Sequence, residues 1–213
     1  MRIEQSMIAV VNTGVGNLRS VLLAFNRACP EVCVRIASEK KTLRDASKVV
    51  FPGQGSMRDC IERLNSLDMV DELTRCLETK PFLGICLGKQ ILFDYSEEGG
   101  SQGLGFLPGK VKRFQKKNAV KVPHMGWNTV RITRNHPVFS GILKNEGEKA
   151  YFYFVHSFFS KPDDHRLVLG ETMHGEVFSS VISSENIFAT QFHPEKSSEN
   201  GILLLKNFAG WSP

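Results

Sequence analysis

Short apolar runs that alternate with amphipathic helical stretches restrict the first half of this chain to an α/β fold. Residues 7–11 form an apolar run closed by Asn12-Thr13-Gly14. Residues 17–29 follow, with Leu18, Val21, Leu22 and Phe25 at helical spacing and Pro30 as a stop. Residues 32–36 make a second run, and 49–51 a third that ends in Pro52-Gly53-Gln54-Gly55. A helix with Met57, Cys60, Ile61 and Leu64 on one face and another over about 68–78 lead to a fourth run, 82–85. A helix is expected over 86–95. Strands separated by helices imply right-handed βαβ units and a mostly parallel open sheet flanked by helices. Ligands of such sheets bind beyond the C-terminal strand ends, where residues 52–55 and 84–88 both lie.

The second half reads differently, as an added antiparallel or mixed strand region. Two short strands are expected around Pro108-Gly109 within 103–114, with further strands over 127–132, 150–155, 167–169, 177–182 and 187–192. An apolar helix over 201–208 closes the chain. With no internal repeat or linker-like stretch, one domain over residues 1–213 is expected. At 213 residues such a domain buries about 70% of the unfolded chain's surface.

The remaining composition narrows the function classes. Hydrophobic residues at 41% and charged residues at 23% exclude a disordered, collagen-like or coiled-coil chain. No apolar stretch reaches the roughly 18–20 residues of a membrane helix, and the run after the polar residues 1–6 is too short for a signal-peptide core. A soluble, cytoplasmic protein without membrane contact is expected. Cys29, Cys33, Cys60, Cys76 and Cys86 are odd in number and include no CxxC pair, so neither a disulfide framework nor a metal site is expected. No cofactor is called for. Lys110, Lys112, Arg113, Lys116, Lys117 and Lys121 carry six positive charges with no acidic residue between them. The stretch reads first as a solvated hairpin and second as a face for an acidic partner or a phosphorylated substrate. With only Phe114 beside it for stacking, nucleic-acid binding is not expected.

Chemistry concentrates in three segments. In Gly84-Ile85-Cys86-Leu87-Gly88-Lys89-Gln90 a thiol sits between a strand and a helix start, with glycines that allow close backbone approach. The helix N-terminus favours thiolate, and the Leu87 N–H points to where an oxyanion would form. Gln90 lies four residues on, on the same helical face, within reach of an amide substrate. The alternative is a structural cysteine in a buried turn. A thiolate that attacks an amide needs a proton carrier for the leaving nitrogen, and His193-Pro194-Glu195 supplies one. In an extended backbone His193 and Glu195 would point the same way, so the carboxylate could orient the imidazole. The glycine-flanked Gln54 could add a backbone N–H to the oxyanion hole, a donor worth roughly 2.7–4 kcal/mol. The plain alternative there is a β-turn.

Together these segments resemble the class I, triad-type glutamine amidotransferases. Asn12-Thr13-Gly14-Val15-Gly16-Asn17-Leu18, Pro123-His124-Met125-Gly126-Trp127-Asn128, AYFYFVHS (150–157) and QFHPEKS (191–197) are similar to the branch that forms the glutaminase subunits of imidazole glycerol phosphate synthase. The resemblance spans about 7–208 and implies a flavodoxin-like amidotransferase fold. It implies a Cys86–His193–Glu195 triad that hydrolyses glutamine, with Gln54 and Leu87 as oxyanion hole. Gly53, Gly55, Gln90, Ser157 and Phe158 would hold glutamine. It implies a heterodimer with a (β/α)8-barrel cyclase, which uses the ammonia to make imidazole glycerol phosphate and an aminoimidazole carboxamide ribonucleotide. Asn12, Asn17, Met125, Trp127 and Lys196 are the interface candidates. A glutaminase that serves another synthase, such as a sugar amidotransferase, would look nearly the same. Lys89 departs from the Met common in the branch, and Gln54 and Ser56 also depart from its usual loop. Lys89 is expected either to favour the Cys86 thiolate or to run out to solvent. The glycines around Gln54 make a peptide flip cheap, so the loop is expected to rest with its N–H turned away until the partner binds.

Overall fold

The computed structural model describes residues 7–14, 16–115 and 120–213. Five strands form the parallel half of one nine-stranded sheet: β1 (Met7–Val11), β2 (Cys33–Ala37), β3 (Lys48–Gly53), β4 (Phe82–Cys86) and, from the far end of the chain, β13 (Ile187–Thr190). They lie in the order β2-β1-β3-β4-β13, every pair parallel. The antiparallel half continues as β12 (Glu176–Ser184), β11 (Val168–His174), β8 (His124–Ile132) and β9 (Lys149–His156). A second, four-stranded sheet has the order β10 (Phe158–Pro162), β7 (Leu107–Arg113), β5 (Phe93–Ser96) and β6 (Ser101–Gln102). The α/β class with a mixed second half is therefore as expected.

Strand β1 shows how the layers are built. Successive side chains of a strand point to opposite faces. Ile8 and Val10 enter a core with Phe25 of α1 (Leu18–Ala28) and Leu204 and Phe208 of α6 (Ser198–Gly210). Ala9 and Val11 enter another with Leu64 of α3 (Met57–Ser66) and Leu73 of α4 (Val70–Thr79). A parallel strand covered on both faces must be apolar throughout, which is why 7–11 reads as an unbroken run. Asn17 and Ser56 cap α1 and α3, their side-chain oxygens accepting from Ser20 and Asp59 N–H at 3.1 and 3.2 Å.

Several elements differ from expectation. Residues 86–95 are not one helix: α5 (Leu87–Gln90) makes a single turn, and β5 follows at once. Every residue from Leu87 to Phe93 is buried, so hydrophobic periodicity cannot separate helix from strand there. Pro108 and Gly109 lie inside the single strand β7 rather than between two strands. The ladder tolerates them because proline has no N–H to pair and the Gly109 N–H is taken by the Asp94 carboxylate at 2.9 Å. Helix α2 (Lys40–Asp45) and strand β10 were not anticipated. Lys110, Lys112 and Arg113 stand on β7, held between β10 and β5, rather than on a free hairpin. Lys116 and Lys117 lie outside the described residues, as does Val15. No helix among the described residues is long and apolar enough to cross a membrane.

Candidate active site

Cys86 ends β4 with φ +54 and ψ −103, a backbone conformation that L-residues rarely adopt. The elbow around it depends on two close approaches. A Cβ at Gly88 would stand 1.8 Å from the Phe51 carbonyl oxygen, and one at Gly84 would stand 2.6 Å from that of Gly88. Glycine alone lets the turn press against β3, where Gly53 is in register with Cys86. The thiol is almost buried, at 7% exposure.

His193 follows β13 and opens a 3-10 turn, Pro194–Lys196, so the pair with Glu195 is not made by extended backbone as expected. The turn still brings His193 Nδ1 to 2.7 Å from Glu195 Oε1, with both side chains buried. Ser197 fixes the turn, donating its hydroxyl to the His193 carbonyl at 2.7 Å and accepting the Tyr153 N–H at 2.9 Å. With Nδ1 committed to Glu195, Nε2 has no hydrogen bond of its own and is left for the sulfur. Burial pulls the imidazole's pKa down, but the Cys86 sulfur and the Glu195 carboxylate outweigh it and hold it above the ordinary value. His193 thus tends to keep a proton it can give away.

The sulfur opens on a cavity of about 460 Å³. Gln54, Gly55, Leu87, Gln90, Ser157, Phe158 and Lys196 line it with Cys86; Gly53 does not, being buried behind Leu87. The Gln90 amide donates to the Phe158 carbonyl at 2.8 Å. Pro123, Val155 and His156 also line the cavity unanticipated, and two further unanticipated residues bear on the chemistry. Glu98 lines the cavity and accepts from the Met57 N–H at 3.3 Å, offering a carboxylate where an α-ammonium could pair. Burial raises its pKa, the Met57 bond opposes, and Asp59 adds to the rise. It arrives on the turn between β5 and β6, which no motif marks. Gln191, fully buried, donates its amide toward the Cys86 sulfur at 3.7 Å. Its nearness to HPE was the available signal.

Lys89 neither reaches solvent nor meets a carboxylate. It is fully buried, donating to the Ser160 hydroxyl and to the Ser179 carbonyl, the latter at 2.8 Å. Burial pushes its pKa down to about 7, with the Cys86 sulfur acting the other way. Among the described residues no cluster of three or more His, Cys, Asp or Glu is arranged to hold a metal ion.

The remaining candidates sit outside the cavity mouth. Met125 and Trp127 are exposed at 63% and 53%, so neither is core. They point away from the sheet on β8, Trp127 packing edge-on against Tyr153 with Lys196 over the same ring. Asn12 holds the Gly14 N–H at 2.9 Å and donates to Ser38 at 3.0 Å, and exposed Asn17 serves as the α1 cap. The segment they flank touches the site, since a Cβ at Gly16 would stand 3.5 Å from the Gln54 nitrogen.

Residues 16–210 match the family model described as glutamine amidotransferase class-I. The chain is 45% identical to the imidazole glycerol phosphate synthase subunit HisH of Aromatoleum aromaticum (strain DSM 19018 / LMG 30748 / EbN1), over 98% of this chain and 100% of that one. The HisH subunit of Neisseria meningitidis serogroup A is 43% identical over 95% and 99%. Among solved structures, PurLQS from Thermotoga maritima superposes with a TM-score of 0.75 at 19% identity, covering 97% of this chain and 98% of that chain. A crystal structure of a glutamine amidotransferase does so at 0.71 and 18%, covering 95% and 99%. At that identity these two speak for the fold alone.

Proposed function

The chain belongs to the class-I glutamine amidotransferases, among the HisH subunits of imidazole glycerol phosphate synthase, and we propose that residues 1–213 form one glutaminase domain worked by Cys86, His193 and Glu195. The observation that carries this reading is the Cys86 sulfur at a strained elbow, opening on a cavity beside a buried His193–Glu195 pair. Glutamine enters with its α-ammonium toward Glu98 and its side-chain amide at Cys86. The sulfur attacks the carboxamide carbon, and the carbonyl π-electrons move to oxygen. Backbone N–H groups of Leu87 and the Gln54 loop take up that oxyanion. As the tetrahedral centre collapses, His193 gives its proton to the nitrogen and ammonia leaves, with a glutamyl thioester on Cys86. Water, deprotonated by His193, attacks the thioester carbon, and the sulfur departs as glutamate forms. Glu195 holds the imidazole and its cation throughout.

Ammonia released into water at neutral pH takes up a proton and ceases to be a nucleophile. The mouth of the site therefore works against a second protein, the barrel cyclase that makes imidazole glycerol phosphate in histidine biosynthesis. Exposed Met125, Trp127 and Tyr151 on the β8–β9 face support docking there, with Lys196 and Asn12 at the rim. Exposed large hydrophobics grouped on one face suit an interface core. The Gly16 backbone, from which a Cβ would stand 3.5 Å from the Gln54 nitrogen, gives a docked partner a route to the oxyanion loop. Gating of this kind requires that loop's N–H to be turned away until the partner docks, a flip that Gly55 at φ +93 makes sterically cheap.

The test is glutamate release by the purified chain alone, then with the barrel cyclase and its ribonucleotide. Low release alone and a large rise in turnover with both, at little change in glutamine KM, are expected. A rise confined to KM overturns loop gating. No rise, while Cys86 is still labelled by an electrophilic glutamine analogue, hands the protein to a different synthase, such as a sugar amidotransferase. Within the site, Gln90→Leu is expected to raise KM for glutamine roughly tenfold with kcat changed less, the size of one or two lost neutral hydrogen bonds. Steady-state kinetics of the complex check it.

A further inference from the structure

The cavity wall made by His156 and Phe158 is backed by hydrogen bonds whose directions can all be assigned. The Phe158 carbonyl only accepts, so His156 Nδ1, 2.8 Å away, carries a proton. In the neutral ring Nε2 is then bare, and it faces His124 Nδ1 at 3.0 Å, which must therefore be the donor. His124 Nε2 is bare in turn and accepts from the Asn128 amide nitrogen at 3.1 Å. The Asn128 amide is oriented independently, because its oxygen accepts from the Thr129 N–H at 2.8 Å and its nitrogen donates to the Met173 carbonyl at 2.9 Å. Donation thus runs one way, from Asn128 through both rings to the Phe158 carbonyl.

Both rings are held as neutral imidazoles. Burial pushes His124 down to about 4, with His174 adding to the shift. Burial holds His156 well below the ordinary histidine value, against the pull of its bond to Phe158 and with help from His124, Lys89 and His193. The His124 ring is stacked between His174 and Phe154, at 4.0 and 4.7 Å between centroids, which holds its plane, while the bonds to His156 and Asn128 set which edge faces each. Glutamine hydrolysis as derived above uses neither histidine. Yet the Phe158 carbonyl where the chain ends is the same one that accepts from Gln90. It fixes the Gln90 nitrogen toward β10 and leaves the amide oxygen as the end offered to substrate. At its other end the relay is rooted in β8 at His124 and Asn128, which flank the exposed Met125 and Trp127.

We propose that His124 and His156 are positioning residues for glutamine: a one-way relay from Asn128 that holds the Phe158 carbonyl and, through it, the Gln90 amide. The assignment rests on the cavity being the glutamine site. Its first test does not. In ¹⁵N spectra of the imidazoles of the wild-type chain, His124 and His156 are both expected as the Nδ1–H tautomer, the minor form of free neutral histidine. An Nε2–H signal from either ring overturns the relay, whatever the protein's substrate.

The second test is kinetic, on the complex with cyclase and ribonucleotide. His124→Phe keeps an aromatic ring between His174 and Phe154 but removes the donor. It is expected to raise KM for glutamine roughly three- to tenfold, the weight of one neutral hydrogen bond, with kcat nearly kept. Asn128→Asp cannot donate to His124, so His124 is expected to appear doubly protonated near neutral pH while glutamine still binds. Correct tautomers with an unchanged KM in His124→Phe leave a structural network and end the positioning role. A wild type that does not hydrolyse glutamine ends the reading of the site and leaves the tautomer result standing.

Discussion

Replacing Cys86 with alanine is expected to lower glutamine hydrolysis by the complex on the order of 10⁴-fold or more, the scale on which other triads fail without their nucleophile. No other thiol can substitute, because Cys29, Cys60 and Cys76 are buried among core residues and Cys33 lies on β2. Glutamate release and labelling by an electrophilic glutamine analogue should vanish together. The same position predicts a gain in stability. A non-glycine residue in a sparsely populated backbone region costs on the order of 1–3 kcal/mol, and Cys86 is held at φ +54, ψ −103. Cys86→Gly removes that strain and gives back about 0.5–1 kcal/mol through the freer unfolded chain. Chemical denaturation should therefore find Cys86→Gly about 1 kcal/mol more stable than the wild type and inactive. If Cys86→Gly is less stable than the wild type, the elbow is not strained and the thiol is held there at no cost to the fold.

How much was legible follows from what kind of signal each feature leaves. Three of the four runs, 7–11, 49–51 and 82–85, were readable because parallel strands covered on both faces must be apolar at every position. The edge strand β2, with Arg35 and Ile36 exposed, was readable only as a short run of mostly apolar residues. The elbow was readable for a local reason: its glycines answer to contacts made within a few residues and on the neighbouring strand. Between 87 and 93 the same logic failed, since burial on all sides erases the period that tells helix from strand. The His193–Glu195 pair was expected on extended backbone and is made by a 3-10 turn; spacing of two serves either geometry at this reach. Glu98 was not legible as a site residue because its place depends on the long-range pairing of β5 with β7. Gln191 offered only its nearness to HPE, its approach to the sulfur depending on the pairing of β13 with β4. Lys89 is the sharpest case. A lysine in a helix start reads as surface, and nothing local says that β10 and β12 will close over it.

That burial makes Lys89→Met the second large effect, and its sign changes with pH. Free lysine titrates near 10.5, and Lys89 in the folded protein near 7. Between those values the unfolded chain binds a proton that the folded one does not, so stability rises with pH across that window. Below about pH 7 the full cost of the buried amine is present, on the order of 4 kcal/mol from the displaced equilibrium. Above about pH 10.5 it is gone. Methionine carries no such cost, but it strands the Ser160 hydroxyl and the Ser179 carbonyl, each worth roughly 1 kcal/mol. At pH 7 the variant is therefore expected to be more stable by roughly 2 kcal/mol. By about pH 9 the advantage should shrink toward zero, and at pH 10 the wild type should lead by roughly 1 kcal/mol. Urea denaturation of both proteins at pH 7, 8.5 and 10 reads the difference directly, with pH effects common to both cancelling. A gap that stays constant across the series means that Lys89 holds its proton in the fold, with the Cys86 sulfur as its counter-charge. Removing that lysine would then weaken the thiolate as well, and glutaminase turnover in Lys89→Met would fall where a neutral amine would leave it unchanged.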